Sequence, residues 1–101
     1  MVYTSGQIAI NPETSNIEAT TIEEQTRQVM INLSEILKEA NSSMKNIIKT
    51  TCFLADIKDF AAFNEVYAEY ITTNPARSCV AVKDLPKAVL VEVEVIATIN
   101  E

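Results

Sequence analysis

The sequence predicts one α+β domain spanning residues 1–101, with an antiparallel or mixed β-sheet and two helices packed on one face of that sheet. Two segments repeat apolar residues at helical spacing, and several shorter segments alternate with a period of two. In chain order the elements are strand, strand, helix, strand, helix, strand and strand. Because two helices cannot cover both faces of so wide a sheet, we expect another subunit to cover the second face.

The first two strands are predicted at residues 2–4 and 7–10, on either side of Ser5 and Gly6. Gly6 is the only glycine of the chain. A single glycine within a strand indicates either a bulge or a point where another backbone or a ligand comes close, and a simple kink explains it equally well. If a ligand comes close, Ser5 and Gly6 lie beside its pocket.

Both predicted helices have the apolar face that is typical of core packing. The first begins after Thr21, whose spacing from Glu24 fits a capping box, and ends at Asn41, because asparagine tolerates the left-handed conformation of helix C-termini. The second is expected to begin at a cap on Asp59 and to end before Pro75. The apolar face of this second helix consists of Phe60, Phe63, Tyr67, Tyr70 and Ile71.

The remaining strands are predicted at residues 47–54 and within residues 75–97. Cys52 in the first of these is most simply a small core residue. The last two strands are joined by a turn at residues 84–87, where Pro86 lacks a backbone donor and disfavours helix for the residue before it.

Glu92 and Glu94 lie in an otherwise apolar last strand, predicted at residues 89–96, and share a face with Leu90 and Ile96. A carboxylate among aliphatic side chains is disfavoured as an ion, so it gains a partner, protonates, or faces a pocket where a raised basicity is useful. Arg77, in the preceding strand, is the candidate for an opposite charge nearby. A simple ion pair remains an alternative to a functional site.

The composition argues against several classes of function. The net charge is −6 and the eight lysines and arginines form no basic stripe, so nucleic acid is not expected as the primary partner. No apolar segment is long enough to span a membrane. Histidine is absent, so acid–base chemistry would fall to carboxylates, tyrosine, lysine or cysteine.

Cys52 and Cys79 occur without a CxxC pattern or histidine neighbours, so they specify neither a zinc site nor a disulfide framework. They could pair only if the fold brought them together. The N-terminus lacks the succession of charged, apolar and small residues of a signal peptide. We therefore expect a cytoplasmic protein, and leave open organelle targeting by an N-terminal extension.

Three segments together resemble one known family over nearly the whole chain. They are YTSGQI at residues 3–8, IIKTTCFLADIKDFAAFNEVYAEY at residues 47–70, and PARSCV with LPKAVLVEVEVIA within residues 75–97. These segments are similar to those of the reactive intermediate imine deaminases, the RidA or YjgF family, also described as L-PSP-type endoribonucleases. Family members usually have one further N-terminal strand, whose tyrosine closes the pocket, so the resemblance implies a more open pocket here.

The resemblance implies a chorismate-mutase-like fold, assembled as a homotrimer with a small-molecule pocket at each subunit interface. It also implies hydrolysis of 2-imino and 2-enamino acids, such as 2-iminobutanoate and 2-iminopropanoate, to the 2-oxo acid and ammonia. No cofactor and no metal are implied.

Arg77 matches the family arginine that binds the substrate carboxylate, and its planar fork suits a carboxylate better than lysine would. Glu92 matches the glutamate that activates the hydrolytic water, and its apolar neighbours suit a carboxylate basic enough to accept a proton. Glu94 is expected to be structural. The other positions implied to line or support the pocket are Ser5, Gly6, Asn64, Tyr67 and the backbone of Cys79.

Two other functions stay open. The same pocket could bind a 2-oxo acid or related carboxylate with little turnover. A ribonuclease or translation inhibitor is a third interpretation, against which the acidic charge and the lack of histidine both argue.

Overall fold

The computed structural model describes all 101 residues and contains one four-stranded sheet and two α-helices. The elements are β1 Val2–Tyr3, α1 Ile22–Glu39, β2 Ile47–Leu54, α2 Phe60–Tyr70, β3 Ala76–Ala81 and β4 Val91–Ala97. The sheet order is β1-β4-β2-β3; β2 and β3 are parallel, and the other pairs are antiparallel. The predicted α+β fold with a mixed sheet is therefore confirmed. No helix combines the length and apolar character that a membrane span requires.

Both helices bury their apolar faces against the same face of the sheet, as predicted. One cluster of buried side chains joins Leu33 and Leu37 of α1, Phe63 of α2, and Leu54 and Val93 of the strands. On β4 the side chains at odd positions are buried in this core, and those at even positions are only partly covered. The sheet thus has a core face against the helices and an open face.

The ends of α1 form as the sequence predicts. The Thr21 hydroxyl accepts a hydrogen bond from the Glu24 N–H at 3.1 Å and donates one to the Glu24 carboxylate at 3.0 Å. At the other end Asn41 is left-handed with φ 58°, and the Ser42 N–H donates to the Leu37 carbonyl at 2.8 Å. This bond closes the helix as in a Schellman motif.

Asp59 is the N-cap residue of α2, as predicted, but its side chain does not cap the helix. A 3-10 turn over Ile57–Asp59 precedes the helix, and the Asp56 carboxylate caps that turn by accepting from the Lys58 N–H at 2.9 Å. The backbone of Asp59 is already helical, and its side chain makes no capping bond. The backbone N–H groups that need a capping acceptor therefore lie one turn before the position that the sequence pattern indicated.

The predicted strand at residues 7–10 is also wrong, because only Gln7 bridges to the sheet, opposite Val93. Beyond Gln7, the Asn32 side-chain amide of α1 donates to the carbonyls of Ile8 at 3.4 Å and Ile10 at 2.8 Å. The Asn32 amide, and for Ile8 also the Ile10 N–H at 2.8 Å, therefore satisfy these carbonyls in place of a strand partner.

The connection between β3 and β4 contains the predicted turn, a 3-10 turn at Pro86–Ala88, with Lys87 at φ 55° and Ala88 at φ 53°. Strand β4 begins at Val91, two residues later than predicted. Val89 is buried but unpaired in the sheet, because the chain is still leaving this turn.

Candidate functional site

The register of the sheet places Arg77 and Glu92 on opposite faces. Arg77 of β3 pairs with Thr50 of β2, which is fully buried on the core face. Glu92 of β4 pairs with Phe53, which is on the open face. Side chains paired in register point to the same face of a sheet. Within one chain Arg77 therefore cannot supply the opposite charge that the sequence suggested for Glu92.

Arg77 is held by three residues of α2. Its Nη1 donates to Oδ1 of Asn64 at 2.6 Å, and its Cζ lies 4.7 Å from the ring centre of Tyr67 and 5.5 Å from that of Phe60. Phe60, Asn64 and Tyr67 are spaced i, i+4 and i+7, so they form one stripe of the helix. The guanidinium is thus oriented by a hydrogen bond and two cation–π contacts.

Phe60 is the member of this stripe that sequence reasoning missed. Its spacing assigned it to the core, yet 36% of its surface is exposed. The signal that could have identified it is its helical spacing from Asn64 and Tyr67, both of which the resemblance already placed at the pocket.

Arg77 has no carboxylate partner. The one ion pair of the structure joins Arg27 of α1 to Glu69 of α2 at 3.1 Å on the surface. There the hydrogen bond to Glu69 raises the pKa of Arg27, and the same bond lowers the pKa of Glu69. The positive charge of Arg77 is consequently available to an anion, and it lines a cavity of about 260 Å³ together with Asn64 and Tyr67.

Tyr67 is fixed at its hydroxyl end as well as by its ring. Its hydroxyl shares a buried hydrogen bond of 2.9 Å with the Thr50 hydroxyl, and its ring packs against Phe63 with the centroids 5.5 Å apart. Burial raises the pKa of Tyr67, although the Thr50 bond and the Arg77 charge act in the opposite direction. Tyr67 is therefore a neutral phenol at neutral pH.

Cys79 lies beside Cys52 on the core face, in register between β3 and β2, and both are free thiols. Cys52 is fully buried, which confirms its assignment to the core. Burial raises the pKa of Cys52 to about 12 and also raises that of Cys79. Because the thiolate is the nucleophile, neither sulfur is suited to covalent chemistry at neutral pH. A backbone role for Cys79 remains a prediction.

Gly6 and Glu92 form the second half of the candidate site, on the open face. Tyr3 pairs with Ile96 and Gln7 with Val93, so three residues of the N-terminal segment stand opposite two of β4. Such a two-against-three arrangement is a bulge. Gly6 lies within this bulge, as one of the sequence interpretations suggested.

The Glu92 side chain lies directly against Gly6. A Cβ atom on Gly6 would come within 2.8 Å of Glu92 Cδ and 3.1 Å of Cγ, where ordinary contacts are 3.4–4 Å. The φ angle of Gly6 is not positive, so the glycine is required by space rather than by backbone conformation. Ser5 beside it is exposed, and its hydroxyl accepts a hydrogen bond from Gln7 Nε2 at 3.2 Å.

The structure thus divides the seven predicted residues into two groups that one chain does not bring together. The core-face group consists of Asn64, Tyr67, Arg77 and Cys79; the open-face group consists of Ser5, Gly6 and Glu92. Two larger depressions, of about 310 and 340 Å³, lie against α1 and contain none of the seven.

The known proteins to which this chain is similar match it over nearly its whole length. The family described as endoribonuclease L-PSP matches residues 1–99. AldR of Lactococcus lactis, named as a regulator, is 52% identical over 99% of this chain and 80% of its own. The chloroplastic Reactive Intermediate Deaminase A of Arabidopsis thaliana is 41% identical over 98% of this chain and 54% of its own. The crystal structure of E. coli TdcF with bound serine superposes with a TM-score of 0.90, at 42% identity, over 97% of this chain and 80% of TdcF.

Proposed function

Because the chain belongs to the endoribonuclease L-PSP family, which is also the RidA, YjgF and RutC family, we propose that it hydrolyses reactive 2-imino and 2-enamino acids. The products would be the 2-oxo acid and ammonia. The observation that carries the proposal is Arg77, a guanidinium with no carboxylate partner, held by Asn64 and Tyr67 at the wall of a cavity. The deaminase name of the Arabidopsis relative supports this chemistry.

In the proposed reaction Arg77 binds the substrate carboxylate through two parallel N–H donors. Glu92 accepts a proton from water while the oxygen attacks the carbon of the C=N bond, and it returns this proton to the nitrogen, which gives a neutral carbinolamine. Glu92 then accepts the proton of the carbinolamine hydroxyl as the C=O bond forms and passes it to the nitrogen, so that the C–N bond breaks and ammonia leaves. Positioned proton transfer of this kind contributes roughly 10² to 10⁴-fold in rate. An enamino acid enters the same path after tautomerising to the imine.

We propose further that the complete site forms between subunits of a homotrimer. Support comes from the separation of Arg77 and Glu92 on opposite faces of one sheet, because a single chain cannot present both to one small molecule. A neighbouring copy that covers the open face of the first would place its Arg77 next to the Glu92 of the first. Closed rings of identical subunits make such heterologous contacts.

The activity is tested by coupling threonine dehydratase to this protein and following 2-oxobutanoate release where uncatalysed hydrolysis is slow. Wild type should accelerate release, and Arg77→Ala and Glu92→Ala should not. Arg27→Ala and Glu94→Gln are matched controls, since Arg27 is paired on the surface and Glu94 is the next carboxylate on the open face. Absence of acceleration by a correctly assembled wild-type protein would refute the proposed activity.

The position of the site between subunits is tested by mixing two inactive variants. Arg77→Ala and Glu92→Ala protomers are unfolded together in equal amounts and refolded, so that the trimers contain both. If each site takes its arginine from one subunit and its glutamate from the next, random assembly restores about one quarter of wild-type activity. No recovery from mixed trimers of normal mass would place both residues in the same subunit's site, or show that they do not act together.

A second candidate is a carboxylate-binding protein with little turnover. The TdcF structure, solved with bound serine, favours it, because serine also presents a small carboxylate. Calorimetric binding of 2-oxobutanoate that depends on Arg77, without acceleration of imine hydrolysis, would support this function over the first.

A further inference from the structure

We propose that Thr50 is a positioning residue for Arg77, acting through Tyr67, so that loss of its hydroxyl weakens carboxylate binding at Arg77. The inference rests on the proposed function only in taking Arg77 as the anion-binding group. Thr50 is in the middle of β2 and is fully buried, so it cannot contact a ligand itself.

The hydroxyl of Thr50 anchors Tyr67 at the far end of its ring. The two hydroxyl oxygens are 2.9 Å apart in a buried environment, where an unpaired hydroxyl is costly. Cys52 Sγ, also buried, lies 3.9 Å from the Thr50 oxygen and donates only weakly. Tyr67 is therefore the principal side-chain partner of Thr50.

The ring that Thr50 anchors is the surface against which Arg77 rests. Arg77 Cζ is 4.7 Å from the Tyr67 centroid, closer than its 5.5 Å from Phe60. Asn64 fixes only Nη1 of the guanidinium. One hydrogen bond leaves rotation about that contact, and the rings of Tyr67 and Phe60 restrict this rotation, with Tyr67 at the shorter distance. A tilt of the ring would turn the remaining N–H donors away from their direction, and two-point carboxylate binding depends on that direction.

Register explains why Thr50 has this position. Thr50 pairs with Arg77 across the parallel β2–β3 ladder, so the threonine and the arginine emerge side by side on the core face. The Tyr67 side chain extends from α2 and contacts both Thr50 and Arg77. A hydroxyl is needed at residue 50 in order to satisfy the phenol, and valine, which has the same shape, lacks it.

The test compares Thr50→Val and Thr50→Ser in the intact protein, with 2-oxobutanoate as the probe and calorimetry as the assay. Loss of one hydrogen bond should raise the Kd of Thr50→Val roughly 3- to 10-fold, whereas Thr50→Ser should stay within about 2-fold of wild type. Thr26→Val is the control, because Thr26 is equally buried and bonds the Ile22 carbonyl at 2.7 Å, away from the site. It should lower stability and leave the Kd unchanged.

A second measurement does not need a ligand. The NMR signal of the Arg77 Nε–H group should carry a ring-current shift from Tyr67 that decreases in Thr50→Val, persists in Thr50→Ser and is unaffected by Thr26→Val. If Thr50→Val lowers only the unfolding temperature and moves neither the Kd nor this signal, Thr50 is merely structural and the inference is overturned. If wild type does not bind 2-oxobutanoate, the proposed effect on carboxylate binding is refuted, and the NMR signal shows only whether Thr50 orients Arg77.

The two proposals can fail separately. Wild type that binds 2-oxobutanoate without accelerating imine hydrolysis refutes the proposed catalysis, while the Kd series still decides the role of Thr50. Active wild type whose Thr50→Val variant has unchanged KM and kcat retains the proposed function and refutes the positioning role.

Discussion

Replacing Gly6 by alanine tests whether the only glycine of the chain exists to make room for Glu92. The new Cβ would come within 2.8 Å of Glu92 Cδ, so the carboxylate has to move by several tenths of an ångström at least. Since the obstacle is a side chain, rotation of Glu92 relieves it, at a cost of about 0.5–1.5 kcal/mol for a displaced rotamer. Against this, alanine lowers the conformational entropy of the unfolded chain, which stabilises the folded state by about 0.4–1 kcal/mol. Alanine can adopt the backbone conformation of Gly6, because the φ angle of Gly6 is not positive.

A double-mutant cycle separates these two effects. In the Glu92→Ala background nothing obstructs the Cβ atom, so Gly6→Ala should be neutral or stabilising there. The entropy term cancels in the cycle, which leaves a coupling energy of about 0.5–1.5 kcal/mol between the two residues. Urea unfolding of all four proteins at one protomer concentration measures it, because assembly shifts apparent stability. Ser5→Ala, one residue away and exposed, serves as the control.

A coupling energy below about 0.3 kcal/mol would mean that the contact is not energetically real, and the spatial explanation of Gly6 would fail. The same variant bears on the proposed activity. A carboxylate displaced by about 1 Å should cost roughly 10²-fold in imine hydrolysis, with little loss of stability. Wild-type rates in Gly6→Ala would refute the requirement for Glu92 at its observed position.

Two further predictions concern stability. The unfolded chain loses the Cys52 proton near pH 9.0 and the folded chain retains it to about 12, so the free energy of unfolding should fall across this window, by up to about 1.4 kcal/mol per pH unit. Cys52→Val should show a shallower decline in urea titrations from pH 8 to 11, and an identical slope would contradict the burial argument. Ala88 is left-handed at φ 53°, which costs about 1–2 kcal/mol, so Ala88→Gly should stabilise by about 0.5–1 kcal/mol after the entropy cost of glycine. Thermal unfolding measures this, and destabilisation would show that the turn does not strain alanine.

The elements that depend on local patterns were predictable from the sequence. The ends of α1 follow from Thr21, Glu24 and Asn41, whose side chains and backbone preferences act within a few residues. The alternation of β4 likewise gives the faces of Glu92 and Glu94 directly. Where a residue distant in the sequence determines the local structure, the sequence pattern gave a wrong prediction.

Two failures show the physical reason. Residues 7–10 have the pattern of a strand, but the Asn32 side chain of α1 donates hydrogen bonds to the carbonyls of Ile8 and Ile10. No local pattern reveals such a bond across 22 or more residues. Phe60 looks like core, but its position at the start of α2 places its ring over Arg77. The separation of Arg77 from Glu92 depends on the strand order, which periodicity alone does not give.

The pairing of the N-terminal segment with β4 has a consequence for how the protein is made. Thr4 accepts a hydrogen bond from the Val95 N–H across 91 residues of sequence, and the Gly6–Glu92 contact spans nearly as many. Closing so long a loop is slow, and these contacts have no substitute nearer in the chain. The segment bearing Ser5 and Gly6 therefore cannot pair with the sheet before β4 has been synthesised. We expect the open-face half of the candidate site to be among the last parts of the domain to form.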